Sequence, residues 1–181
     1  TAWAEKENVH PLAIAFAKFK PGVVMTDAVP AKPGPYCTPR TLVQVSHLID
    51  KLDMAAFTEA AQGYIGEGAG AELVSFLRVA AELPTFDEII ENPTKARLPT
   101  RPDATYAAVQ MIVHRIDDDS VDAAFKYLLR LPTEFQVSGV ASAMRRCPGV
   151  LRGGKIGPEL SKWLADHKML VMATNQMSVR K

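Results

Sequence analysis

Apolar positions recur every three or four residues along most of the chain, the period of helices that each bury one face. HPLAIAFAKFKPG predicts a helix opened by Pro11 and stopped by Pro21-Gly22. The pattern then dissolves into DAVPAKPGPYCT, where Pro30, Pro33 and Pro35 favour extended backbone and predict a linker or arm over 27–38. Thr38 is placed to cap a new helix with Pro39 at its first position, and Leu42, Val45, Leu48, Ile49 and Leu52 mark its apolar face. MAAFTEAAQG predicts a short helix ending at Gly63, and GYIGEGAG reads as a tight turn into AELVSFLRVAAEL. Further on, Thr85 and Glu88 form a capping box before DEIIEN, Pro93 ends that helix, and LPTRPD leads into TYAAVQMIVHRI. Ser120 is expected to cap SVDAAFKYLLRL, Thr133 with Gln136 to cap EFQVSGVASAMRR, and Pro158 to open PELSKWLADH. The sum is an all-α chain, a compact array of about eight helices with a proline-rich arm. LVMATNQMSV alternates like a strand but has no partner segment and stays unassigned, and no fixed period of a helical repeat recurs.

A length of 181 residues with 48% hydrophobic content suits one core, so a single helical domain over 1–181 is the expectation. Lys and Arg number 21 against 20 for Asp and Glu, a formal net charge of +1 that gives no global pull toward nucleic acid or an anionic membrane. Any anion site must therefore be local. Cys37 and Cys147 stand far apart without metal-ligand spacing, which points to a reduced, cytoplasmic setting and away from a disulfide framework or structural zinc. No apolar run is long enough to cross a membrane, and TAWAEKENVH lacks the parts of a signal peptide, so the chain reads as a soluble protein with no membrane partner. It opens at Thr1, without an initiator methionine and inside a helix-like phrase, which suggests a piece of something longer.

GVLRGGKIG satisfies most of a phosphate-loop motif, but Ile156 stands where the magnesium-binding hydroxyl belongs and a helix precedes it. GYIGEGAG follows a helix and lacks dinucleotide spacing. His10, His47, His114 and His167 show no metal spacing, and the Asp117–Ser120 cluster reads as a solvated helix start, so no metal site is expected. Arg40 is the unusual residue. It occupies the first turn of its helix, where the dipole disfavours a cation unless an anion comes to meet it. Gln44, His47 and Lys51 continue from it as a polar stripe and form a candidate interface. Two readings of Arg40 stand open: a surface ion pair with a nearby carboxylate, or a phosphate contact.

The run WAEKENVHPLAIAFAKFKPG, then YCTPRTLVQVSHLID, then AAQGYIGEGAGAELVSFLRVAAELPTFDEIIENP resembles the C-terminal helical lid of MoxR-like AAA+ ATPases of the bacterial and phage-borne branch. The order of parts carries the likeness, which spans Trp3 to Ile116: a Trp-containing helix, a helix ending in Lys-Pro, a Thr-Pro-Arg helix start, a glycine-rich turn into a Phe-Leu helix, and Leu-Pro and Asn-Pro stops. It implies a lid over 1–116 and a helical extension over 117–181. It also implies that Arg40 is the sensor-2 residue, catalytic through its reach to the terminal phosphate of ATP, with Thr38 and Pro39 completing the nucleotide contact. ATP and magnesium would belong to the intact ATPase, a chaperone-like remodelling machine. Its nucleotide-binding domain would lie upstream, its neighbours would be subunits of a hexamer, and a von Willebrand factor A domain protein would be a co-worker. The chain has no strand-borne phosphate loop and no acidic magnesium-binding strand, so it is expected to hold no cofactor and to be inactive alone. The competing expectation is a stand-alone helical interaction module that binds no nucleotide.

Overall fold

The computed structural model of the chain describes residues 8–25, 33–147, 157–158 and 160–167. Among these the secondary structure is helical throughout, with no strand. Nine helices follow in order: α1 Pro11–Phe19, α2 Pro21–Val24, α3 Pro39–Ser46, α4 Met54–Ile65, α5 Glu67–Ala81, α6 Phe86–Glu91, α7 Pro102–Arg115, α8 Val121–Leu128 and α9 Thr133–Arg146. Residues 160–167 are helical as well. The alternating segment LVMATNQMSV, the phosphate-loop-like residues 149–156 and the Trp3 helix of the lid likeness lie outside the described residues.

The chain forms two compact units, one of Thr1–Glu82 with Arg101–Ala107 and one of Leu83–Thr100 with Ala108–Lys181.

In the first unit α4 and α5 form the most extensive helix pair, because a glycine sits where the two must approach. A Cβ at Gly70 of α5 would lie 2.9 Å from the backbone N of Gln62 on α4, too close for any other residue without a shift. The sharp reversal between them is made by Gly66, whose φ of +84° with ψ of 157° is a region that side chains avoid. Phe57, Ala61, Ile65, Leu73, Phe76 and Leu77 are buried along this pair. Phe16 and Phe19 of α1 meet Phe76 edge-on at 5.7 Å and stacked at 6.0 Å between ring centres, and Phe19 also meets Tyr106 at 5.8 Å. Such pairs each add about 0.5–1.5 kcal/mol beyond the area they bury.

In the second unit α8 and α9 share a core of Phe125, Leu128, Val140 and Ala143. Gly139 lets α9 close on Leu128 and Val109, whose methyl carbons would stand 3.1 and 3.3 Å from an added Cβ. Fully buried Tyr127 donates its hydroxyl to the Arg97 carbonyl at 2.9 Å, and Arg130 donates to the carbonyls of Pro93 and Ala96 at 2.7 and 3.0 Å. These bonds satisfy backbone acceptors left over after α6. Gln136 serves three elements at once, donating to the carbonyls of Leu129 and Leu131 while its amide oxygen accepts from the Trp163 indole at 2.6 Å.

Several boundaries differ from the pattern-based expectation. Pro21 does not simply stop α1 but opens the single turn α2. The helix that begins at Pro39 ends at Ser46 rather than reaching Leu52, and Leu52 is exposed instead of packed. The Ser46 hydroxyl donates to the Val43 carbonyl at 2.7 Å, competing with the helix ladder, and the next bonds tighten to Leu48 N–H with Val45 and Ile49 N–H with Ser46. The α4 helix passes through Gly63 and stops only at Gly66, because Gly66 alone of the two takes the reversed backbone. Ser120 precedes α8 without capping it by its side chain. Its hydroxyl and amide both bond the Asp117 carboxylate, at 2.6 and 2.8 Å, so Asp117 organises that helix start. Thr133 lies inside α9 with Pro132 at the cap position, and Gln136 turns back to the α8–α9 connection instead of closing a box. The Thr38 and Thr85 caps stand where they were expected.

Candidate functional site

The start of α3 is built by two threonines and a proline. Thr38 takes an extended backbone, and its hydroxyl accepts from the Thr41 N–H at 3.1 Å while the Thr41 hydroxyl accepts from the Thr38 N–H at 2.9 Å. The Thr41 hydroxyl also lies 3.1 Å from the Tyr36 carbonyl, where it can donate. Pro39 has no N–H to offer. These bonds occupy the first-turn donors a helix ordinarily presents to an anion and leave the amide of Arg40 as the remaining one.

The approach to α3 is fixed from two sides. Cys37 is buried, and burial pushes its thiol up to about 11, so it stays protonated at neutral pH and serves as an apolar anchor. Just before it, the Pro35 carbonyl packs so closely on Gly66 that an added Cβ there would lie 2.7 Å away. The α4–α5 reversal thus braces the strand of chain that delivers Arg40.

Arg40 itself is exposed and makes no hydrogen bond or ion pair with a described residue. Gln44 shares its side of α3 one turn on and is exposed too. His47 and Lys51 are exposed, but they lie beyond Ser46, so turn geometry and not a continuous helix sets their place relative to Arg40. Thr38 and Pro39 are taken up by the cap and offer a phosphate little of their own.

At the opposite end of α3 sits a cluster the pattern did not flag. His10 caps α1: its Nδ1 accepts from the Leu12 N–H at 3.2 Å, its Nε2 lies 3.0 Å from an Asp50 carboxylate oxygen, and its N–H reaches the Ser46 hydroxyl at 3.4 Å. Its place directly before Pro11 was a readable sign of an N-cap. Burial holds the His10 ring below its ordinary 6.5 despite the pull of Asp50.

Elsewhere the second unit carries a cleft of about 220 Å³ lined by Asp122, Phe125, Lys126, Leu129, Gly157, Pro158 and Leu160. Its charged pair, Lys126 with Asp122 at 2.7 Å, is neutralised within one helix turn. Among the described residues no group of three or more His, Cys, Asp or Glu is arranged to hold a metal, no buried side-chain nitrogen or oxygen lacks a partner, and no helix is long and apolar enough to cross a membrane. Several exposed cations of the described residues, Arg78 and Lys51 among them, have no ion pair; Arg40 differs from these two in standing in the first turn of a helix.

No protein-family model, no curated protein and no solved structure matches the chain. The likeness to an AAA+ lid rests on the motifs from Trp3 to Ile116 alone.

Proposed function

We propose that this chain is the sensor-2 lid and helical extension of an ATP-driven, MoxR-like remodelling machine, and that Arg40 is its phosphate-facing residue. The observation that supports this reading is an exposed arginine, without a side-chain partner among the described residues, in the first turn of a helix whose other donors are already used. A self-sufficient phosphate site gathers several backbone N–H groups and a cation. Here one guanidinium and one amide are offered, which fits a single phosphate group held mainly by another domain. Bound ATP would supply the phosphoryl group to be transferred. Arg40 would place its planar fork on the oxygens of that group and stabilise the negative charge there, while Thr38 and Thr41 hold the helix start that aims it. A nucleotide-binding domain, neighbouring subunits of a hexamer and a von Willebrand factor A domain co-worker belong to the same proposal.

The test is ATP turnover by the complete protein in which this chain occurs. Arg40→Ala is expected to lower turnover by roughly 10²-fold, the scale seen when one transition-state donor is removed, while helicity is unchanged. Arg40→Lys restores part of the rate because it keeps the charge and loses the bidentate fork. Unchanged turnover in Arg40→Ala, or a complete protein that neither binds nor hydrolyses ATP, refutes the reading. The second reading, a helical interaction module, has its own observation: Tyr36, Leu52, Met54 and Tyr64 of the first unit are exposed large apolar side chains. That reading gains if Arg40→Ala is silent.

A further inference from the structure

We propose that the start of α1 is a proton-released latch, in which the neutral His10 ring ties α1 to the end of α3 and lets go when it takes up a second proton. The two ring nitrogens have different duties. Nδ1 accepts from the backbone N–H of Leu12 at 3.2 Å, so it must carry a lone pair, and the ring proton must then sit on Nε2, where it is donated to Asp50 Oδ2 at 3.0 Å. The His10 N–H toward the Ser46 hydroxyl, at 3.4 Å, adds a third tie to the last residue of α3. One residue thus closes the first turn of α1 and reaches two points just before and after α3 ends.

Protonation acts on these ties in opposite directions. A second proton on Nδ1 would point an N–H at the N–H of Leu12, turning an acceptor into a competing donor and breaking the cap. The same proton would strengthen the attraction to Asp50. Exposure decides between them: the His10 side chain is 21% accessible, whereas that of Asp50 is 80% accessible, so water screens the attraction while the ring bears the cost of holding charge in a largely buried place. The lowering of the His10 pKa agrees with that order.

Asp50 is the charged group at the ring. Among the described residues no other charged group acts on the ring: α2 has none, on α5 Glu72 is engaged with Lys20 at the far end of α1, 3.2 Å away, and Glu67 lies in that helix's first turn, and on α7 Asp103 is paired with Arg101 at 2.6 Å. Lys18 stands two turns along α1 from the ring, and His47 and Lys51 are exposed close to Asp50 in sequence. The sign follows. A His whose folded-state pKa is below its unfolded 6.5 contributes stability that is complete above 6.5 and is lost as the pH falls from there through the folded value.

Nuclear magnetic resonance of the full chain tests this by following the His10 ring protons and the exchange of the Leu12 amide, corrected for its intrinsic rate, from pH 7.5 to 5. His10 is expected to titrate below 6.5, and Leu12 protection to fall roughly fivefold over that titration, as for loss of one helix cap. His10→Asn, which keeps a capping oxygen and cannot titrate, is expected to hold Leu12 protection constant with pH. Asp50→Asn leaves the cap in place and is expected to lower the His10 pKa further. A His10 pKa at or above 6.5, Leu12 protection that does not change through the titration, or an equal pH response in His10→Asn would overturn the latch.

Discussion

Replacing Gly66 with alanine strikes the joint that braces the Arg40 helix, and two separate costs can be read from the geometry. The backbone at φ +84° and ψ 157° lies in a region essentially reserved for glycine, where a side chain costs about 1–3 kcal/mol. The new Cβ would also stand 2.7 Å from the Pro35 carbonyl oxygen, a backbone atom that cannot rotate aside, and relieving such overpacking costs about 1–3 kcal/mol more. The sum is about 2–6 kcal/mol, a large share of the stability of a small folded unit. Gly63, three residues earlier, supplies the control. It lies inside α4 with open space around it, so alanine there is expected to stabilise by about 0.5–1 kcal/mol through helix propensity alone. Urea denaturation followed by far-ultraviolet circular dichroism, with hydrogen exchange to assign the loss to α4 and α5, measures both. At a slope of about 2 kcal/mol per molar urea, Gly66→Ala should lower the midpoint of the first unit by roughly 1–3 M, and Gly63→Ala should raise it slightly. A Gly66→Ala midpoint equal to that of the parent, or an equal fall in both variants, would show that the reversal and its contact with Pro35 are not what holds the turn.

The Cys37 thiol, raised by burial to about 11 from an ordinary 9.0, should carry roughly a hundredfold less thiolate near pH 8 than an exposed cysteine, so alkylation of the folded chain should be slow at this site and accelerate on unfolding. Prompt labelling of Cys37 under native conditions contradicts that. Burial likewise pushes the Tyr127 phenol up to about 12 from 10.0, a group kept neutral in the fold and ionised sooner when unfolded. Its contribution to stability is complete below pH 10 and is lost as the pH rises from 10 toward 12, so Tyr127→Phe should flatten the alkaline fall in stability relative to the parent.

Helix type and order were legible because apolar spacing of three and four survives wherever one helix face is buried. Thr85 with Glu88 was readable for a similar reason, since a capping box uses residues close in sequence. Thr38 was readable by type, but its partner Thr41 was not, because threonine at that position is not the Glu or Gln the pattern calls for. The misplaced ends share a cause. Ser46 bonds backward to Val43 and across to His10, and Gln136 turns to Leu129 and Leu131; whether a polar side chain serves its own helix or a distant one depends on neighbours that local spacing does not reveal. Gly63 and Gly66 look alike in sequence, yet only Gly66 takes the reversed backbone and meets Pro35, about thirty residues upstream. At the candidate site Arg40 was legible from its helix position alone, whereas its bracing by Cys37 and Gly66 and the His10 cluster at the other end of α3 emerge only from tertiary contacts.

An exposed arginine in a first turn opposes the helix dipole by about 0.3–1 kcal/mol, and nothing in the described structure relieves it by pairing. The Thr38–Thr41 box contributes about 1 kcal/mol in the other direction and removes the free amides that would themselves have called for an anion. The helix start is therefore stable with its guanidinium left over, and no folding requirement needs the charge satisfied. A negative group that meets Arg40 breaks no ion pair with a described residue and relieves the unfavourable dipole interaction, so the contact favours the ligand-bound state.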